Sequence, residues 1–163
     1  MINTKTYKKL KNPDIKAKTR KNLVRWRNLY VRLRDLTKLP SGKIYGKCIS
    51  CGKVWNVELF SDRGIMNGKQ WHAGHYFLED RYESTAHNSN NIWLQCSKCN
   101  RYLSGNLSEY KINLIKKIGK EQFDKLEQEH NKIKKYSVLD YHDLAKSYKY
   151  LAHREAERLG IKI

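Results

Sequence analysis

Four cysteines fall in two Cys-x-x-Cys pairs, Cys48-Ile-Ser-Cys51 and Cys96-Ser-Lys-Cys99. A tight turn of that spacing presents two sulfurs to one ion, and two such turns complete a tetrahedral site for Zn2+. A closed four-thiolate shell leaves no open coordination position, so this zinc is expected to be structural and any chemistry to lie beside it. Redox use of the thiols is the competing reading, but such motifs usually occur once, in a βαβ setting that the pattern here lacks. A second alternative pairs the His-x-x-His of His72 and His75 with Cys48 and Cys51, leaving Cys96 and Cys99 to another site. The four-thiol arrangement is the simpler one.

Between the thiol pairs lies His72-Ala-Gly-His75, followed by Asn90-Asn91 five residues before Cys96 and by Asn100 directly after Cys99. The partner suggested by charge is a polyanion: 34 Lys and Arg against 16 Asp and Glu leave +18, far beyond what solubility requires. Hydrolysing a phosphodiester needs a base to activate water and a cation to neutralise the charge growing on the phosphate oxygens. The imidazole of His75 suits the first role.

These residues need elements to hold them. Residues 1–40 carry thirteen Lys and Arg against Asp14 and Asp35, a net +11 of the total. Leu23, Trp26, Tyr30, Leu33 and Thr37 recur at three- and four-residue steps, which predicts one cationic amphipathic helix over roughly 16–38, ended by Leu39-Pro40-Ser41-Gly42. Arg20, Arg25, Arg27, Arg32 and Arg34 are its candidate DNA-phosphate contacts, which would supply affinity and register without reading bases. From Gly42 to Asn106 the glycine-rich pattern fits short strands and turns, with strands near 54–60 and 70–77, a loop SDRGIMNG between them, and a short helix over SKCNRYL stopped at Ser104-Gly105. Helical periodicity then returns. Leu107, Tyr110, Leu114, Ile115 and Ile118 form one stripe ended by Gly119, and Phe123, Leu126, His130 and Ile133 form a second. Ser137 and Asp140 stand at capping-box spacing before a third, with Leu144, Tyr148, Leu151, Ala152 and Leu159 inward and Gly160 at its end.

The fold class read from this is α+β and mostly helical: a basic N-terminal helical arm (1–40), a four-cysteine zinc core (41–106) and a C-terminal helical region (107–163). With 163 residues, 39% hydrophobic and 31% charged, the chain can bury one core and wholesale disorder is excluded. No run of about 18 apolar residues and no apolar leader stands in the sequence, so no membrane contact and a cytoplasmic place are expected. Trp26, on the apolar stripe, reads as core, and Tyr110, Tyr136, Tyr141, Tyr148 and Tyr150 read as core or interface; Trp55, Trp71 and Trp93 could stack bases.

A His at the end of a strand, an Asn five residues before the second Cys-x-x-Cys and an Asn directly after it resemble the HNH endonuclease signature, a ββα-metal core clasping one divalent ion. By that resemblance His75, Asn91 and Asn100 are the catalytic positions. Asn100 would bind Mg2+ or Mn2+, Asn91 would fix the loop and orient the imidazole, and cleavage would leave 5′-phosphate and 3′-hydroxyl ends. Many HNH enzymes carry Asp directly before the catalytic His as second ligand. Gly74 stands there, and His72, then Glu79 and Asp80, are the substitutes.

A closer resemblance covers about residues 24–159. VRLRDL, KCISCG, HAGHYF, RYEST, NNIWLQCSKCNRYLSGN, the Tyr of SEYK and LIKKIG are similar to the NinG (Rap) family of lambdoid bacteriophages. That resemblance implies a recombination endonuclease acting on branched DNA such as Holliday junctions and D-loops, inside a bacterial host. A symmetric junction suits a homodimer, since two nicks related by a two-fold axis need two active sites. The competing classes are a non-catalytic zinc-ribbon DNA-binding recombination or transcription factor, which would retard DNA and leave every strand intact, and an RNA-binding factor with no junction selectivity. Tyr82 and Thr85 receive no catalytic role.

Overall fold

In the computed structural model, residues 13–57 and 70–163 are described. The loop expected over 61–68, the far end of the strand expected over 54–60 and the first part of the basic arm lie outside the described residues. The architecture is mixed α and β and mostly helical, as the sequence implied. It divides into two units, Met1–Tyr30 with Lys135–Ile163, and Val31–Lys134. Among the described residues no helix is long and apolar enough to cross a membrane.

In the first unit, helix α1 (Pro13–Arg34, whose last turn belongs to the second unit) opens on a proline, which lacks the amide hydrogen that a first helical turn leaves unbonded anyway. Its Leu23 is buried with Tyr136, Tyr141, Ala145 and Tyr148, and Trp26, Tyr30 and Leu144 pack against them. The aromatics meet at offset angles, Tyr30 on Tyr148 with centroids 5.6 Å apart and Tyr136 on Tyr141 at 5.5 Å. Helix α4 (Val138–Leu159) carries the expected capping box: Ser137 accepts from the Asp140 amide, and the Asp140 carboxylate accepts from the Ser137 amide. Leu151 departs from the expected inner face and is exposed.

The second unit begins with a correction. The helix expected to run to residue 38 stops at Arg34, and Leu36–Lys38 form strand β1. Tertiary bonds account for it: the Asp35 carboxylate accepts from the Leu94 amide at 2.7 Å, and Leu36, Thr37 and Lys38 pair antiparallel with Gly46, Tyr45 and Ile44 of β2 (Ile44–Lys47). β2 pairs on its other edge with β3 (Val54–Asn56). A separate antiparallel pair, β4 (Trp71–His75) and β5 (Ile92–Cys96), places His72 opposite Gln95, Gly74 opposite Trp93 and His75 opposite Ile92. The short helix expected after Cys96 is a single π-helical turn, Lys98–Tyr102.

Helices α2 (Leu107–Ile118) and α3 (Lys120–His130) cover this sheet pair with the stripes read from the sequence. Tyr110, Leu114, Phe123 and Leu126 are buried with Ile49, and Tyr76, Phe77, Trp93, Ile115 and Ile118 pack around them. Gly119 takes φ +81, which ends α2 at little steric cost. Ile133, expected on the inner face of the second stripe, lies beyond α3 and is 93% exposed.

Candidate metal centre and active site

The two Cys-x-x-Cys turns converge. The sulfurs of Cys48, Cys51, Cys96 and Cys99 all lie within 4.8 Å of one another, with three of the residues buried and Cys51 exposed. Sulfurs bound at about 2.3 Å around a tetrahedral zinc stand about 3.8 Å apart, so this donor set fits a closed structural site. The turn after β2 is built for it: the Cys48 amide bonds to the Lys53 carbonyl, Gly52 closes onto the Cys48 carbonyl, and the Cys96 amide points at Cys48 Sγ at 3.4 Å. Burial pushes the Cys48 thiol far above its ordinary value and Cys99 up to about 11. Cys51 is lowered: burial opposes this, but hydrogen bonds from the Lys53 backbone and the neighbouring thiols outweigh it. The alternative of a mixed His/Cys site gains nothing from the geometry. Among the described residues this is the only group of three or more His, Cys, Asp or Glu residues placed to share an ion.

His75 ends β4 with 10% of its side chain exposed. Its Nε2 lies 3.1 Å from the Ala86 carbonyl and 3.8 Å from a Glu79 carboxylate oxygen. A carbonyl only accepts, so in the neutral ring Nε2 carries the proton and Nδ1 presents the lone pair. The segment bearing Ala86 is held in turn by Asn91, which is completely buried. Asn91 Oδ1 accepts from the Phe77 amide at 2.8 Å, and its Nδ2 donates to the Phe77 and Thr85 carbonyls at 2.9 and 3.1 Å. Asn91 is therefore a positioning residue that pins both ends of the loop against which the imidazole rests.

Asn100 is placed by a residue that the sequence reading did not single out. Gln95 is fully buried; its Oε1 accepts from Asn100 Nδ2 at 2.8 Å, and its Nε2 donates to Ser50 Oγ and the Gly105 carbonyl. With its amide nitrogen so engaged, Asn100 turns its Oδ1 away from Gln95. The same glutamine accounts for Gly74: a Cβ there would press on Gln95 Oε1, Cβ and Cδ, so an aspartate enters that position only if Gln95 gives way. His72 reaches Ser97 Oγ at 2.9 Å, just before the turn that carries Asn100, whereas Asp80 is exposed on the following loop. Tyr110, also fully buried, donates to the Gly74 carbonyl at 2.8 Å and ties α2 to β4. A lone polar residue inside the apolar run IWLQC was the available signal for Gln95; its contact with Gly74 was not visible in one dimension.

The five arginines divide. Arg25 is exposed, with its guanidinium 5.3 Å from the Trp26 ring centre, and Arg20 is half-buried. Arg27 is completely buried and bonded to Asn28 Oδ1, and burial brings the Arg32 guanidinium down to about 10. Arg34 holds Asp35 at 2.7 Å, donates to the Ser89 and Ile92 carbonyls, and lies 3.9 Å from the Trp93 ring centre. Arg27 and Arg34 are thus committed to the fold rather than turned to phosphate.

Fold and site together define a class: a mixed α and β protein with four converging cysteines in its middle, a histidine at the end of β4 and asparagines before β5 and in the turn after it. The family described as bacteriophage lambda NinG protein matches residues 3–158, and the chain belongs to it. It is similar to protein ninG of Escherichia phage lambda, 36% identical over 105 residues that make up 64% of this chain and 42% of that protein. Protein ninG of Escherichia phage 933W is 35% identical and that of Salmonella phage P22 is 33% identical over the same length and coverage. The chain spans about two fifths of the length of these curated relatives. No solved structure matches it.

Proposed function

We propose that this chain is a metal-dependent DNA endonuclease with an HNH-like ββα-metal core, cutting branched recombination intermediates such as Holliday junctions and D-loops. The observation that carries the reading is the imidazole of His75, fixed through Nε2 on a backbone carbonyl so that Nδ1 is the basic nitrogen. Asn91 locks the loop supplying that carbonyl, and Gln95 Oε1 fixes the Asn100 side chain by accepting from its Nδ2.

In this reading His75 Nδ1 takes the proton from the attacking water. Asn100 Oδ1, with His72 as second ligand, would hold Mg2+ or Mn2+, an ion that keeps several waters and accepts one or two protein ligands besides substrate oxygens. When bound, that ion neutralises charge on the scissile phosphate and the departing 3′ oxygen. The products are 5′-phosphate and 3′-hydroxyl ends. The zinc staples β2 to β5 and takes no part in the reaction. The net charge of +18 supports a DNA partner, and two symmetric nicks in a junction would take two copies of the chain.

The test is strand nicking of labelled four-way junction, fork and linear duplex with and without divalent metal. Metal-dependent cuts favouring the branched substrates support the reading. Gel retardation of DNA with every strand intact would leave a zinc-ribbon binding protein in its place.

A further inference from the structure

Cations of two elements meet at a cleft of about 250 Å3 along the outer edge of β5, the edge away from β4. Lys47 comes from β2 and Lys116 and Lys117 from the last turn of α2, with Ile49, Trp93 and Asn113 between them. Lysines at a helix C-terminus complement the helix dipole, but that does not account for Lys47 arriving from a strand. Ion pairing separates these lysines from others on α2 and α3. Lys111 is paired with Glu127, Lys120 with Asp124 and Lys125 with Glu121, whereas among the described residues Lys47, Lys116 and Lys117 have no carboxylate partner.

The one acid in the cleft, Asp35, is already engaged by the Arg34 guanidinium and the Leu94 amide. Trp93 carries the Lys117 ammonium 4.6 Å from its ring centre and the Arg34 guanidinium at 3.9 Å, so it serves as a platform for cations. The cleft is therefore concave, positively charged and lined by cations that the protein itself leaves uncompensated. It runs beside β5, one strand across from His75 on β4.

We propose that this cleft seats the sugar-phosphate backbone of the DNA a few nucleotides from the bond presented to His75, with Lys47, Lys116 and Lys117 each neutralising a phosphate. The proposal rests on the nuclease reading and names the surface that holds its substrate. Phosphate neutralisation releases counterions, so each such contact steepens the fall of affinity with salt by about one unit of log–log slope.

The experiment measures binding of a labelled four-way junction and a duplex across a salt series by fluorescence anisotropy. It compares wild type with the triple variant Lys47→Gln/Lys116→Gln/Lys117→Gln and with the charge-matched Lys111→Gln/Lys120→Gln/Lys125→Gln. The cleft variant should lose two to three units of slope, about one per lysine, and bind at least tenfold more weakly, whereas the matched variant should lose less than half as much slope. Zinc content reports that each variant is folded, and the single charge reversal Lys117→Glu should reproduce the weakening. Equal slope losses in the two triple variants, or none in the cleft variant, overturn the proposal. Altered slope with no nicking by wild type rejects the nuclease reading and leaves the cleft standing; nicking with an unaltered slope rejects the cleft alone.

Discussion

Gln95 occupies the space that a side chain at position 74 would need, and through that contact it also sets the amide of Asn100. Gly74→Ala drives a methyl group into Gln95 and should cost about 1–3 kcal/mol, the usual range for overpacking a filled site. Truncating the glutamine removes its Oε1 and Cδ from that space and leaves only its Cβ close by, so Gln95→Ala combined with Gly74→Ala should be destabilised by less than the sum of the single changes; urea unfolding of the four proteins measures the coupling. Strict additivity would mean that the two residues do not press on each other. Asn100→Ala should slow metal-dependent nicking and recover part of the loss at high Mg2+ or Mn2+, because removing a ligand weakens ion binding before it affects chemistry. His72→Ala should show the same recovery if the imidazole fills the position that Gly74 cannot. A defect in His72→Ala that no metal concentration relieves would remove it from the ligand set.

The Cys-x-x-Cys turns, strand β4 and the stripes of α2 and α3 were legible because they rest on local pattern: two Cys-x-x-Cys motifs, the run QWHAGHYF, and apolar residues at helical steps. Elements set by long-range bonds were not. The end of α1 depends on Asp35 reaching Leu94, 59 residues away, and β1 and β2 are three and four residues long, too short for alternation to register. The burial of Arg27 could have been suspected from its place between Leu23 and Val31 at four-residue steps, although a guanidinium on an apolar stripe is an unusual occupant. The thiol environment yields a prediction about pH. Burial keeps the Cys48 and Cys99 thiols protonated in the metal-free fold, so ligation must expel protons and zinc affinity must rise with pH. Competition against a chromophoric chelator should show at least about a tenfold gain in affinity per pH unit below the ordinary thiol range. A pH-independent affinity would contradict four-thiolate ligation.

At the scale of the whole molecule, the proposed DNA partner rests on charge. Residues 1–40 hold a net +11 of the total +18, yet the buried Arg27 and the tied Arg34 show that part of this charge serves the fold. Arg25→Gln, which removes an exposed guanidinium, should weaken binding to duplex and junction alike by about the same factor, since a phosphate contact carries no sequence information. Arg34→Gln should instead lower thermal stability, because it leaves Asp35 with only the Leu94 amide and removes the donor to the Ser89 and Ile92 carbonyls. The family relation is shown along most of the chain, whereas its activity rests on the geometry around His75. The most direct measurement is single-turnover nicking of a labelled four-way junction with Mg2+ or Mn2+ by wild type and His75→Ala, with zinc content and junction affinity measured on the same preparations. The account predicts metal-dependent nicking by wild type and a loss of at least about a hundredfold in His75→Ala, the low end for a positioned general base, with zinc and affinity unchanged. Undiminished nicking by His75→Ala, or no nicking by a zinc-loaded wild type that binds the junction, would contradict it.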